Sequence, residues 1–294
     1  MEGSLLYLNE NSRKFASFTK ESSPFVVIGA PMDITSSYRP GSRFAPSSIR
    51  EAAQYIEFYS IRNGIDMGEI GFFDAGDVVV HPSNAEDNLR RISEVVKYFL
   101  DERKFPITIG GEHTVTVGVS RALSRGTCFV SFDAHLDLRE EYMDDPLDHA
   151  CVMRRIHEQG NRVVEVGTRA VSKEEVEYAR KNNISFLTSY EVKLIGARET
   201  ARRLLSKLSE CEKVYVSFDI DVFDPAYAPG VQTPEPEGLD PSTVLDIVNL
   251  LVDKRTVGFD VVEVSPPFDP SGITSVLAAR LIMETAAAVR AKLP

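Results

Sequence analysis

Two stretches of this chain deliver acids at two-residue spacing straight after an apolar run. SFDAHLD (131–137) follows CFV and carries Asp133, His135 and Asp137; SFDIDVFD (217–224) follows VYV and carries Asp219 and Asp221. In extended backbone, residues i, i+2 and i+4 share a face about 6–7 Å apart. The spacing therefore predicts that the first three converge and that Asp219 and Asp221 meet them from a second strand. So many ionisable groups in one place repel each other unless cations join them. A lone aspartate at a strand end is more often a cap or an ion-pair partner. Five such groups on two near-identical strand exits point to a metal site instead. His113, in GGEHT (110–114), completes a set of two imidazoles and four carboxylates without a thiolate. Such hard donors favour manganese, magnesium or iron over structural zinc. Six side chains suffice for two ions, and a pair about 3.5–4 Å apart generates hydroxide near neutral pH.

The elements that must hold these residues alternate along the chain. PFVVIGAP (24–31), GFFDAGDV (71–78), FPITIGGEHT (105–114, a strand and glycine turn), SRGTCFVSFDAHLD (124–137, a strand and its exit), NRVVEVGTR (161–169), ISFL, KVYVSFDID and VGFDVVEVSPP read as strand segments, most of them continuously apolar. Between them lie helical patterns. Pro46 suits a first turn. Asn84 opens a helix with the stripe Leu89, Ile92, Val95, Val96 and Phe99. Ser172 and Glu175 form a capping box for a helix to about Asn183, a further helix is expected near 196–208, and Asp240-Pro241 opens another. The last helix is expected to bury Ile273, Val276, Leu277 and Leu281. Strand–helix alternation with apolar strands predicts an α/β fold in which a parallel sheet lies between helices on both faces. No linker or composition break interrupts it, so residues 1–294 are expected to form one domain, with 1–23 as a patternless N-terminal extension. Ligands of such sheets bind beyond the carboxyl ends of the strands, where His113, Asp133, Asp219 and Glu263 all fall. Arg39 and Arg43, in the loop before Pro46, suit anion binding or loop clamping, with clamping preferred.

Composition narrows the function classes. The 294 residues are 43% hydrophobic and 26% charged, as in a soluble globular protein. No apolar run approaches the roughly 20 residues of a membrane span, and the first residues lack the pattern of a signal peptide, so a cytoplasmic protein is expected. A formal charge of -11 argues against nucleic acid, whose binding rests on Lys and Arg, and suits a cationic substrate. Cys128, Cys151 and Cys211 are far apart with no paired spacing, which predicts neither a disulfide framework nor a thiolate zinc site. Cys128 reads as strand core, and Cys151 as a passive thiol close to the His149 loop.

GGEHT, SFDAHLDLR (131–139), SFDIDVFDPAYAPGVQTPEPEG (217–238) and DVVEVSPPFD (260–269) resemble the ureohydrolases, the arginase and agmatinase family, and the upstream GAPMD and SYRPGSRFAPSSIR resemble the agmatinase branch. The resemblance runs from about residue 24 to 286. It implies a three-layer α/β/α domain with a mostly parallel, about eight-stranded sheet, the architecture shared with deacetylases, and two manganese ions per subunit. It also implies that His113, Asp133, Asp137 and Asp219 ligate one or both ions, that His135 and Asp221 complete the pair, and that Asp133 and Asp219 bridge. Glu263 matches the carboxylate that grips a guanidinium, His149 the histidine that shuttles protons, and Glu112 a residue orienting a ligand. The chemistry implied is attack of a metal-bridging hydroxide on the guanidinium carbon, protonation of the leaving amine through Asp137, and release of urea. Assembly as a homo-oligomer, trimer or hexamer, and a place in putrescine and polyamine synthesis are implied likewise. Three positions depart from the family: Ala150 and Glu237 stand where it usually has Gly, and Ala45 makes FAP of the usual FGP.

The segment REEYMDDPLD (139–148) carries five acids and one Arg. As a lip to the site it would repel a carboxylate and attract the free ammonium of agmatine, so agmatine is the expected substrate. Alternatives are arginine, guanidinobutyrate, formiminoglutamate or another amidine, a one-zinc deacetylase-type hydrolase, and a catalytically weak regulator.

Overall fold

The structure, a computed structural model, describes residues 2–11 and 13–293. Its strands are β1 (Leu8–Asn9), β2 (Phe25–Ala30), β3 (Tyr59–Ser60), β4 (Ile65–Asp66), β5 (Phe73–Val78), β6 (Phe105–Gly110), β7 (Cys128–Phe132), β8 (Arg162–Thr168), β9 (Ser185–Thr188), β10 (Val214–Asp219) and β11 (Thr256–Val262). The helices are α1 (Glu2–Leu5), α2 (Ala45–Ala52), α3 (Met67–Ile70), α4 (Ala85–Asp101), α5 (Val115–Ala122), α6 (Val152–Glu158), α7 (Lys173–Lys181), α8 (Ser189–Lys207), α9 (Pro241–Leu251) and α10 (Ile273–Lys292). Nine strands form one sheet in the order β1-β5-β2-β6-β11-β10-β7-β8-β9. Eight of them are parallel; only the two-residue edge strand β1 runs antiparallel, against β5. No helix among the described residues is long and apolar enough to cross a membrane.

Successive residues of a strand face opposite layers. Val130 and Phe132 of β7 therefore join a core with residues of α2, α8, α9 and α10, while Phe129 joins one with α4, α5 and α6. The continuously buried β2, β7 and β10 are what two covered faces require. The capping signals fall where expected: Asn84 accepts from Asp87 N, Ser172 and Glu175 form a capping box, and Asp240 accepts from Thr243 N ahead of Pro241. The α4 stripe Leu89, Ile92, Val95, Val96 and Phe99 is buried throughout.

Several expectations are corrected. Helix α8 begins at Ser189, not near 196, because Thr188 and Glu191 form their own capping box and a kink at Gly196 (φ 76°) joins two helical pieces. On α10, Ile273 and Val276 are each 45% exposed, and the helix packs through Ala278, Ala279, Leu281 and Ile282. Its many alanines make apolar and buried faces hard to distinguish. Residues before 24 are not patternless in space: Phe15 is fully buried against Phe58 and Phe72, with its N–H donated to the buried Asp74. Arg50 of α2, also fully buried, forks onto both oxygens of Asp74 at 2.7 and 3.0 Å and reaches Asp77 at 2.5 Å. Removing one partner would strand a buried charge.

The cysteines also behave differently from their spacing. Cys128 and Cys211 form a disulfide, with Cα atoms 6.0 Å apart and a sequence separation of 83. The sheet order places β7 beside β10, with Cys128 N donating to Lys213 O, so proximity comes from strand pairing and sequence spacing could not reveal it. Cys151 is the free thiol among the described residues; it is fully buried, and burial pushes its pKa up to about 12. Closing so long a loop stabilises by about 4 kcal/mol on the chain-entropy account. Unfolded protein should therefore titrate one thiol per chain without reductant and three with it, and the Cys128→Ser, Cys211→Ser double variant should melt several degrees lower. Three thiols without reductant would refute the bridge.

Candidate metal centre and catalytic cleft

The candidate site sits on the carboxyl rim of β6, β11, β10 and β7, which are neighbours in the middle of the sheet. Gly111 lets three strand exits meet. Its N–H donates to Ala30 O and its carbonyl accepts from Glu263 N, both at 2.8 Å. A Cβ there would lie 1.8 Å from Met32 O, so only glycine fits. The next turn presents His113, fully buried.

His113 Nδ1 lies 2.9 Å from Asp137 Oδ2, 3.2 Å from Asp133 Oδ2 and 3.5 Å from Asp219 Oδ2. His135 Nδ1 lies 3.0 Å from Asp221 Oδ2 and 3.4 Å from Asp133 Oδ1. Two ion-sized groups result, His113 with Asp133 and Asp137, and Asp133 with His135 and Asp221, each with ligand atoms within 4.8 Å of one another. Asp133 faces both groups with different oxygens; Asp219 adjoins the His113 group.

The convergence does not come from pleated strand, as the period-two argument assumed. Asp133 Oδ1 accepts from His135 N at 2.6 Å, and Asp219 Oδ1 accepts from Asp221 N at 2.9 Å. Each SFD motif thus leaves its strand through an aspartate turn, which curls the second ligand-type residue inward. Asp137 (φ 49°) and Glu263 (φ 66°) both adopt left-handed backbone, a conformation that costs about 1 kcal/mol or more for such residues and gathers at functional sites.

Burial and mutual repulsion set the charge state. Burial, then the Asp133 charge, lifts Asp137 to about 7; burial, then Asp221 and Asp133, lifts Asp219 well above the carboxylate range. Burial would lower His113 and His135, but the facing aspartates raise both well above the usual histidine value. Burial would likewise raise Asp133, yet the two histidines hold it below its ordinary value. Without cations the site keeps protons in their place. His113 Nδ1 and Asp133 Oδ2 are buried with no hydrogen-bond partner, as expected of atoms meant for metal. The donor set and these orphaned atoms fit two divalent ions.

Behind the ligand-type residues runs a polar row that sequence reasoning missed. Ser217 Oγ donates to Asp260 Oδ1 at 2.6 Å, so it accepts from His113 Nε2–H at 3.0 Å. That bond leaves Nδ1 facing the carboxylates. Thr116 and Tyr215 hydroxyls hold the other Asp260 oxygen at 2.9 and 3.0 Å. Glu165, opposite Ser131 in register, is fully buried with both oxygens unpartnered, and burial raises its pKa well above the usual range. The polar residue two places before each aspartate, Ser131 and Ser217, was the signal available.

Glu263 Oε1 accepts from His113 N at 2.6 Å and lies 3.4 Å from His149 Nδ1, while its Oε2 is buried and unpartnered. His149 is buried with Nε2 at 3.0 Å from Ser37 Oγ; burial lowers its pKa, but Glu263 outweighs this and lifts it to about 9. Glu112 does not touch a ligand-type side chain. Its Oε2 accepts from Ile34 N and Thr35 N at 2.6 and 2.7 Å, which fixes the loop whose Thr35 and Ser37 hold His149. Burial lifts Glu112 to about 7. Arg43 clamps the same loop through Asp33 at 2.9 Å, and Arg39 stacks on Tyr38 and Phe268.

A cleft of about 280 Å³ opens onto His135, Asp137, His149 and Asp219. The acidic lip is corrected: of residues 139–148 only Arg139 and Tyr142 line it. Glu140 pairs with Arg154, Asp145 and Asp148 cap turns, and Glu141 and Asp144 face solvent. Ala150 lines the cleft without needing glycine, since its backbone is not left-handed; Ala45 is ordinary helix. Glu237, in contrast, stands at φ 65°, where glycine costs less. Substituting Asp260→Asn should weaken divalent-metal binding about 10- to 100-fold, read by calorimetric titration of metal-stripped protein, with little change in melting temperature of the loaded form. Unchanged affinity would remove Asp260 from the metal-positioning role.

The arginase family profile matches residues 23–288. An agmatinase of Bacillus anthracis is 38% identical over 271 residues, covering 90% of this chain and 91% of its own. The N(1)-aminopropylagmatine ureohydrolase of Thermococcus kodakarensis is 37% identical over 279 residues, covering 92% of this chain and 93% of its own. The crystal structure of the agmatine ureohydrolase of Thermoplasma volcanium superposes with a TM-score of 0.86 at 38% identity, over 96% of this chain and 95% of that one. Sequence, fold and the arrangement of acids and histidines on the central rim agree: the chain belongs to the arginase family.

Proposed function

We propose that this protein is a two-manganese ureohydrolase that converts agmatine and water to putrescine and urea. The observation that carries the reading is Asp133, whose two oxygens face two separate His/Asp groups, beside Glu263 with one buried oxygen unused. His113, Asp137 and Asp219 would hold one ion, His135 and Asp221 the other, with Asp133 and Asp219 shared. Bound there, the ions would supply Lewis acidity and a water that ionises near neutral pH. Glu263 pairs with the planar guanidinium through its free oxygen and so orients that carbon. Asp137, on the cleft wall, hands a proton to the departing amine nitrogen. His149, between Glu263 and the cleft, exchanges the proton with solvent through Ser37. Water and the guanidinium cation become urea and a protonated amine, so charge balances.

The same reading places the protein in the cytoplasm as a homo-oligomer, trimer or hexamer, with a small cationic guanidine as partner and neither nucleic acid nor membrane. A second reading, hydrolysis of a guanidino acid, is favoured by one observation, the Arg139 guanidinium on the cleft wall. Against a one-zinc deacetylase chemistry stands the second group, Asp133, His135 and Asp221.

Metal-stripped protein reloaded with Mn²⁺ should release urea from agmatine, and not comparably from arginine or 4-guanidinobutyrate; strong turnover of an acid would transfer the reading to guanidino acids. Glu263→Gln should lower kcat/KM about 30-fold or more while two metals remain bound. Because His113, His135, Asp137 and Asp219 all stand above their ordinary pKa values, metal uptake at pH 7 should release protons and weaken as pH falls. Calorimetry in buffers of different ionisation enthalpy measures this, and proton-free binding would contradict the charge state described.

A further inference from the structure

We propose that Glu235 is the specificity-determining residue that receives the ammonium at the far end of the substrate. The inference rests on the ureohydrolase reading above. In TPEP (233–236) each of Thr233 and Glu235 precedes a proline, which disfavours helical backbone and biases both toward extended conformation. The chain bends at Thr233 and again at Pro236, and both the Thr233 and Glu235 side chains line the cleft. Thr233 Oγ1 lies 3.5 Å from Asp221 Oδ2, at the metal end. Glu235, two residues on, lines the same cleft as Thr233, so the segment offers the cleft a carboxylate apart from the ligand-type residues.

The segment is anchored for this task. Arg169 donates to Glu235 O at 2.8 Å and Pro236 O at 2.9 Å, and with the same guanidinium to Asp221 O at 2.7 Å. One cation thus ties the backbone that carries Glu235 to the backbone of a ligand-type residue. The Glu235 carboxylate has no ion pair or hydrogen bond among the described residues and is only part-exposed. The two other charged side chains of the outer cleft are engaged. Glu175 accepts from Leu138 N and Ser172, and Arg139 stacks on Tyr142 at 5.1 Å and lies 3.9 Å from Glu175. A cation entering the mouth finds one unpaired partner, Glu235.

The test compares agmatine with butylguanidine, which lacks the terminal ammonium, in the Mn²⁺-loaded wild type and in Glu235→Gln and Glu235→Asp. The proposal expects Glu235→Gln to raise KM for agmatine about tenfold or more, to leave kcat within a small factor, and to leave butylguanidine kinetics unchanged, with Glu235→Asp in between. An unchanged agmatine-to-butylguanidine ratio in Glu235→Gln, with wild type active, overturns the role of Glu235 alone. So does a wild-type preference for 4-guanidinobutyrate that disappears in Arg139→Gln. No urea from any substrate in the wild type overturns the ureohydrolase reading and this inference with it.

Discussion

The structure depends on a concentration of like charge that no protein interior tolerates unaided. Four aspartates and two histidines meet on the rim of four adjacent parallel strands, and five of the six are at most 6% exposed. Coulomb repulsion at these separations, in a medium of low polarisability, amounts to several kcal/mol per pair. The pKa displacements express it: Asp137 and Asp219 are pushed up, and the facing aspartates raise both imidazoles. Divalent cations relieve the repulsion where protons only postpone it, so metal binding and local stability are coupled.

Holding such a cluster requires a frame that cannot relax. The buried sheet provides it, with strands covered on both faces so that none can slide without exposing core. Gly111 draws the β2, β6 and β11 exits to within hydrogen-bonding distance. Ser217 and Asp260 lock His113 from behind, and Arg169 ties Asp221 to the outer loop. The left-handed Asp137 and Glu263 are sustained by the order around them. Glu112 extends the frame to the 33–37 loop, so that Glu263, bonded to His113 N, and His149, held by Thr35 and Ser37, are positioned by neighbouring parts of one turn.

The cleft is more discriminating than its acidic composition suggests. The acids of the 139–148 segment cap turns, pair with Arg154 or face water, whereas an arginine and a tyrosine from that segment face the cleft. Net charge and local acid count describe the field far from the surface. At the mouth, the Glu235 carboxylate lines the cleft without a side-chain partner among the described residues.

What the sequence by itself determined was whatever is local and periodic. Continuous apolarity of β2, β7 and β10, the caps at Asn84, Ser172 and Asp240, and acids placed directly after strands are properties of a few consecutive residues, and they suffice for the layered α/β fold and the ligand-type set. Tertiary structure alone decided what depends on neighbours far apart in the chain. The Cys128–Cys211 bridge, the His113–Ser217–Asp260 chain and the burial of Phe15 follow from strand order, which carries no signature in residue spacing. The aspartate turns at Asp133 and Asp219 replaced the pleat because a side-chain oxygen competing for the local N–H wins once the strand loses its ladder partners. The face of α10 could not be read because alanine is at home in water and core alike, so packing against α2 and α9 made the choice.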